Sequence, residues 1–132
     1  MNMGYLVRRF INDNGWHYQE VNGNCILHFS GPFEEPVTVY IFPDDGSKTL
    51  SFVAYQSIPS GLPMSSLYRL INRVNADSGP VRVSIIDDPE SNSFGQIVLN
   101  IEWFANEPDF DYIFSNMLDK VMRVLDDIAE KF

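Results

Sequence analysis

The dipeptide Asn22-Gly23 constrains the fold of this chain more than any other feature of its sequence. It lies between two runs rich in strand-forming residues, at positions 16–21 and 24–30. A two-residue turn of type I′ needs positive φ at both central positions, which Asn and Gly tolerate, so Asn-Gly is a strong hairpin signal. The two runs therefore predict a pair of antiparallel strands.

Further strands are predicted wherever apolar and polar residues alternate, because successive side chains of a strand point to opposite faces. This alternation occurs at positions 36–42, 49–58, 81–86 and 96–104. The positions predicted to face the core are Val37, Val39, Ile41, Leu50, Phe52, Ala54, Ile97, Leu99, Ile101 and Trp103. Asp44-Asp45-Gly46 predicts a turn between the third and fourth strands.

Three segments show the spacing of amphipathic helices. Residues 3–14 form the first, and Asn14-Gly15 predicts its end. The second contains Leu67, Leu70, Ile71 and Val74, at intervals of three and four residues. Residues 107–131 predict a long final helix with one apolar stripe, with Asn106 as a candidate cap.

Strands joined by short turns dominate the sequence, and no strand–helix–strand alternation indicates a parallel sheet. The order α-β-β-β-β-α-β-β-α predicts an α+β fold, in which three helices pack on an antiparallel sheet of about five to six strands. A length of 132 residues is typical of one domain. We therefore predict a single domain that spans residues 1–132.

Composition narrows the possible partners and the compartment. The formal net charge is −9, and such a surface repels nucleic-acid phosphates and anionic lipids, so we expect neither a nucleic acid nor a membrane as partner. Cys25 is the only cysteine, which excludes an internal disulfide and fits a reducing compartment. Residues 1–18 lack the pattern of a secretory signal. We therefore expect a cytoplasmic protein.

No motif in the sequence is typical of a catalytic or metal site. Cys25 and His28 lie on one predicted strand at an odd spacing, so their side chains point to opposite faces. The acidic loop at 87–93 lacks the ligand spacing of a calcium loop and is better explained as a solvated hairpin loop. The sequence thus predicts no catalytic residue, no metal and no cofactor, and we expect that the protein is not an enzyme.

Aromatic side chains lie on the strand faces opposite the predicted core, at Tyr40, Phe42, Tyr55 and Phe104. If the helices cover only one face of the sheet, these side chains are exposed, and large exposed apolar patches mark partner surfaces. Alternatively, the middle helix or the loop at 30–36 covers them. We predict these four residues as partner-binding residues, on the condition that they are exposed.

Three segments carry a resemblance to a known family. They are the helix at 67–75 with the pattern L-x-x-L-I-N-x-V-N, the strands at 81–86 and 96–103, and the closing acidic helix that ends Val124-Leu125-Asp126-Asp127-Ile128. The chain resembles the YbjN-type family of proposed bacterial sensory transduction regulators and its cyanobacterial relatives of unknown function. That family is similar in fold to type III secretion chaperones, which are small, acidic, often dimeric proteins that bind extended segments of effector proteins.

The resemblance implies a core of order α-β-β-β-α-β-β-α and carries no catalytic residue. This order has one strand fewer than the order predicted from the turns and periodicities of this sequence. The segment at 49–58 is then either a separate strand or a continuation of the third strand across a turn.

These observations lead to two hypotheses for the function, which belong to different classes. The first is a non-enzymatic protein-binding module, chaperone-like or regulatory, with a protein or peptide partner and a homodimeric state through the middle helix or a sheet edge. The second is a small-molecule binder or enzyme with a pocket between helix and sheet, where His17, Tyr18 and His28 supply the polar groups.

Overall fold

Helices and strands follow one another in the order that the turns and periodicities predict. The computed structural model describes residues 2–59, 61, 63–77, 79–92 and 95–131. The helices within these ranges are α1 (Met3–Asp13), α2 (Met64–Asp77) and α3 (Phe110–Ala129). The strands are β1 (Gln19–Val21), β2 (Asn24–Phe29), β3 (Val37–Asp44), β4 (Thr49–Ser57), β5 (Arg82–Ile86) and β6 (Gln96–Phe104).

The strands form one antiparallel sheet of order β1-β2-β3-β4-β6-β5. Asn22 and Gly23 have φ of 53° and 80°, so the predicted type I′ turn joins β1 to β2. Strand β4 pairs with both β3 and β6, which makes it a separate central strand rather than a continuation of β3. The α+β fold with three helices on an antiparallel sheet is confirmed.

The helices pack on one face of the sheet and form the core there. The inward side chains Leu50, Phe52 and Ala54 of β4 are fully buried. They belong to the same hydrophobic core as Leu6 of α1, Leu67 of α2 and several residues of α3. Full burial of a leucine or phenylalanine side chain contributes about 1.5–3 kcal/mol. The period-two pattern therefore identifies the core face correctly except at Trp103, which was predicted to face the core but is 38% exposed. The described helices pack on this face of the sheet.

Phe114 of α3 lies where two helices meet the sheet. Its ring stacks on Phe10 of α1 at a centroid distance of 4.3 Å. It also packs edge-on against Phe52 of β4 at 4.9 Å. The exposed surface of Phe114 is 0% of its total. This side chain therefore joins α1 and α3 to the centre of the sheet.

Two predicted boundaries are wrong by a few residues. Strand β1 begins at Gln19 rather than residue 16, because Trp16 packs its ring against Phe10 and Phe29 instead of continuing the strand. Helix α3 begins at Phe110 rather than residue 107. Asn106 caps a preceding turn, since its Oδ1 accepts a hydrogen bond from the Asp109 N–H at 2.9 Å.

Candidate protein-binding surface

The sheet face that points away from the helices, called the open face below, carries a cluster of aromatic rings. Tyr40 and Phe42 project from β3 with nearly parallel rings, at a centroid distance of 6.3 Å and an interplanar angle of 15°. Tyr55 on β4 meets Tyr40 edge-on at 5.4 Å and 75°. Offset and T-shaped geometries are those that aromatic pairs prefer. Tyr40, Phe42 and Tyr55 are called the aromatic cluster.

Aliphatic residues of the neighbouring strands extend the aromatic cluster. Tyr40 is paired with Ile26 of β2 and Val53 of β4. Tyr55 is paired with Val98 of β6. Side chains of directly paired residues are close enough to touch across strands. The open face therefore has an apolar band that crosses β2, β3, β4 and β6.

The exposed fractions show how much of this band remains available. Phe42 is 37% exposed, and Tyr40 and Tyr55 are half-buried by their neighbours in the sheet. Phe104, at the end of β6, is 73% exposed. Helix α2 packs with the core on the other face, so it does not cover these rings.

The structure brings three of the four predicted partner-binding residues into contact and places Phe104 apart from them. Phe104 is paired with Thr49 of β4, while Phe42 is paired with Ser51. Between the two rings, the Ser51 hydroxyl donates a hydrogen bond to Glu102 Oε2 at 3.0 Å. Phe104 thus shares the open face but is separated from the aromatic cluster by a polar pair.

The loop at 30–36 borders the aromatic cluster. Glu35 and Pro36, together with Tyr40, Tyr55 and Ser57, line a depression of about 370 Å³. Ligand-binding clefts in proteins span about 300–1,000 Å³. The loop therefore forms a wall beside the rings.

Gln56 holds this loop in place and was missed in the sequence. Its side chain is completely buried on the core side of β4, and its Nε2 donates a hydrogen bond to the Glu35 carbonyl at 3.1 Å. Gly31 permits the close approach, because a Cβ there would lie 2.6 Å from Cγ2 of Val37. The sequence contains a signal for this role, because the alternation places the polar Gln56 at the core-facing position after Leu50, Phe52 and Ala54.

The outer edge of β5 is occupied by a side chain of α2. The Val83 N–H donates to Asn75 Oδ1 at 2.7 Å, and Asn75 Nδ2 donates to the Val83 carbonyl at 2.8 Å. The amide of Asn75 thus bonds both backbone groups of Val83, as a neighbouring strand would. This pair of hydrogen bonds, called the Asn75 clip, restricts the addition of another strand at this edge.

The residues considered for catalysis or small-molecule binding do not converge. Cys25 is buried in the core, and burial, followed by the charge of Glu20, raises the pKa of its thiol. His28 is exposed on the open face, where its Nδ1 lies 3.1 Å from the Thr38 hydroxyl. Tyr18 packs against the core on the opposite side of the sheet, and His17 is exposed.

The acidic loop after β5 is held by internal hydrogen bonds. The Tyr68 hydroxyl donates to Asp87, and Asp88 Oδ1 accepts from the Glu90 N–H at 3.0 Å. Ser93, the last residue of the predicted loop, lies outside the described residues. Among the residues that the structure describes, no cluster of His, Cys, Asp and Glu is suited to a metal ion. In the same part of the chain, no helix has the length and apolar character to cross a membrane.

Comparison with known proteins gives a match in structure without a match in sequence. No protein-family model and no curated protein matches the chain. YbjN from E. coli, a proposed transcription regulator, is 18% identical, with 96% of this chain and 88% of that chain covered and a TM-score of 0.67.

Two further solved structures share the fold. A chain of the heterodimeric ExoU–SpcU complex, from the type III secretion system of Pseudomonas aeruginosa, is 17% identical, with a TM-score of 0.53 and coverage of 92% of this chain and 93% of that chain. An uncharacterized protein from Methanothermobacter thermautotrophicus is 14% identical, with a TM-score of 0.55 and 97% of each chain covered. The fold of this chain is therefore YbjN-type and chaperone-like, as the sequence resemblance implied.

Proposed function

We propose that this chain is a non-enzymatic protein-binding module, chaperone-like or regulatory, whose partner contacts Tyr40, Phe42, Tyr55 and Phe104. The observation that carries the proposal is the aromatic cluster on the sheet face opposite the described helices. Aromatic side chains bury large areas and dominate the energetics of protein interfaces. A row of such rings beside an exposed phenylalanine suits a protein or peptide ligand.

The fold and the charge of the chain support a protein partner. The ExoU–SpcU complex is a heterodimer in which a chain of similar fold is present. The net charge of −9 disfavours nucleic acids and anionic membranes, because both present negative charge. A protein segment held by apolar contacts is compatible with an acidic surface.

We also propose a homodimer in a cytoplasmic, reducing compartment. The free, buried thiol of Cys25 supports a reducing compartment, since the fold contains no disulfide that would require oxidising conditions. The β1 edge, with exposed Gln19, Glu20 and Val21, is better suited to dimer contacts than the β5 edge, where the Asn75 clip lies. Sedimentation velocity at micromolar concentration should give twice the monomer mass. A monomer at all concentrations would contradict the proposed homodimer but would not bear on the proposed partner surface.

Photo-crosslinking tests the partner surface directly. A photoreactive phenylalanine analogue replaces Phe42 or Phe104 on the open face, and Tyr112 on α3 serves as control. Tyr112 matches Phe104 because each is 73% exposed. In source cells, irradiation should give the same cross-linked partner from positions 42 and 104, and none from position 112.

Substitutions provide the second arm of the test. Phe42→Ser with Phe104→Ser should abolish recovery of that partner, whereas Tyr112→Ser should leave it unchanged, with all variants equally folded by circular dichroism. The proposal fails if the cross-linked species is the same from all three positions, or if the double variant recovers the partner as well as the unsubstituted protein.

A further inference from the structure

A groove leads from the open face around the end of β4. Its first part is the depression that contains Tyr40, Tyr55, Glu35 and Ser57. A second depression, of about 660 Å³, shares Glu35 and Ser57 with the first and adds Phe33, Glu34, Ile58 and Pro59 among its lining residues. Because the two share walls, a ligand on the aromatic cluster can continue into the second without leaving the surface.

A third depression continues the groove beyond Pro59. It has a volume of about 480 Å³, shares Ile58 and Pro59 with the second, and adds Met64, Tyr68 and Asp87. The three depressions together, from Tyr40 to Asp87, are called the acidic groove. Its continuity suits a ligand that is long and extended rather than compact.

Among the described residues that line the acidic groove, every charged side chain is a carboxylate, namely Glu34, Glu35 and Asp87. All three residues are exposed. Positions 60, 62, 93 and 94, which lie outside the described residues, are Ser, Leu, Ser and Phe in the sequence and carry no charge. A row of like charges focuses the potential of a cleft and attracts the opposite charge.

Aromatic residues alternate with these carboxylates along the groove. Phe33 and Tyr68 lie near Glu34 and Asp87, in the same pattern as Tyr40 and Tyr55 beside Glu35. Tyr68 donates its hydroxyl to Asp87, which raises the pKa of Tyr68 and keeps it protonated. Carboxylates beside aromatic faces favour guanidinium and ammonium groups, which form ion pairs and cation–π contacts at once.

The groove walls favour recognition by side chains rather than by strand addition. Pro32, Pro36, Pro59 and Pro89 line it, and proline has no backbone N–H to pair with an added strand. The nearby edge of β5 is restricted by the Asn75 clip. An extended ligand is therefore held by pockets for its side chains.

We propose that the occupant of the acidic groove is an extended peptide segment that contains arginine or lysine. An apolar residue of the segment lies on the aromatic cluster, and its cationic side chains lie against Glu34, Glu35 and Asp87. This inference rests on the proposed partner surface and specifies the chemistry of what binds there.

Fluorescence anisotropy with a labelled peptide library tests the charge requirement. The library contains extended peptides with phenylalanine at one end and arginine at varied spacings, and a matched library has citrulline in place of each arginine. Citrulline keeps the shape of arginine without its charge. Arginine peptides should bind with micromolar affinity, weaken as salt is raised, and lose about 10-fold or more in affinity on citrulline replacement.

Glu34→Gln with Glu35→Gln locates the effect in the groove. We expect about 5-fold weaker binding of the best arginine peptide, because partly exposed ion pairs have modest energies. Asp126→Asn with Asp127→Asn, on the exposed side of α3, removes the same amount of charge and should leave the affinity unchanged. An equal loss in both variants would assign the effect to overall charge and overturn the inference.

The remaining outcomes separate this inference from the proposed function. If citrulline peptides bind as well as arginine peptides while Phe42→Ser abolishes both, the charge requirement is wrong and the partner surface stands. If no library peptide binds, the inference is likewise overturned, and the photo-crosslinking at positions 42 and 104 decides the proposed function by itself.

Discussion

The Asn75 clip makes a quantitative prediction about stability. In the variant Asn75→Ala, the Val83 N–H and carbonyl lose hydrogen bonds of 2.7 and 2.8 Å to the side-chain amide. A typical intramolecular hydrogen bond contributes about 0.5–1.5 kcal/mol net. Two such bonds contribute about 1–3 kcal/mol together. We take about 2 kcal/mol, the middle of this range, because Asn75 is half-buried and water can reach the freed groups at the sheet edge.

Helix propensity acts in the opposite direction and must be subtracted. Alanine is favoured over asparagine inside a helix by about 0.5 kcal/mol, so the net loss for Asn75→Ala is about 1.5 kcal/mol. With an unfolding entropy of about 2.1 cal/mol/K per residue, this loss lowers the melting temperature by about 5 °C. The measurements are urea unfolding followed by tryptophan fluorescence and thermal unfolding followed by circular dichroism.

Asn72→Ala is the matched control, because Asn72 lies on the same helix and is exposed. Asn72→Ala should gain only the helix propensity of alanine and become slightly more stable. The two variants should therefore differ in stability by the energy of the Asn75 clip. At the same concentration, Asn75→Ala should also form species larger than those of the unsubstituted protein and of Asn72→Ala, since the β5 edge is opened. Equal stability of the two variants would refute the reasoning.

Two further predictions concern the core and the pH dependence of stability. Phe114→Ala, which removes the ring stacked on Phe10, should cost about 3–5 kcal/mol, measured by urea unfolding; a loss below about 1 kcal/mol would contradict the packing described. Hydrogen bonds from the backbone N–H and side chain of Ser47 lower the pKa of Asp44 below its ordinary value, so the Asp44 carboxylate stabilises the fold above that ordinary pKa and loses its contribution as the pH falls through its folded pKa. Asp44→Ala should therefore have a lower urea midpoint than the unsubstituted protein at pH 7, with a gap that narrows as the pH falls below about 4; a gap independent of pH would contradict this.

Local rules account for the parts of the fold that were predicted correctly. The turn at Asn22-Gly23 needs only two residues with positive φ, and the alternation of Val39 with Tyr40 needs only the period of a strand. Such signals depend on neighbours in the sequence, so they can be recognised without knowledge of the rest of the chain. The assignment of Tyr40 and Tyr55 to the face opposite the core followed from the same period.

The parts that were missed depend on contacts between distant segments. The placement of β6 between β4 and β5 depends on pairing between β4 and β6, which α2 and β5 separate in the sequence, so no local pattern encodes it. Gln56 reaches the Glu35 carbonyl across 21 positions, so only its polar character at an inward position signalled a role. The acidic groove arises where loops from separate parts of the chain meet, and its chemistry could not be assembled from sequence order.

The helix pattern that carries the family resemblance is explained by structure rather than by a binding site. Leu67, Leu70 and Ile71 of the L-x-x-L-I-N-x-V-N run are buried in the core, and its last asparagine, Asn75, forms the clip on Val83. These positions maintain the packing of α2 and protect a sheet edge, so their roles in the fold are sufficient to account for them. The side chains that suit a partner, on the open face and along the acidic groove, belong mostly to β3, β4 and the loops. The part of the resemblance that rests on the α2 pattern therefore specifies the fold, and the nature of the partner depends on residues outside this pattern.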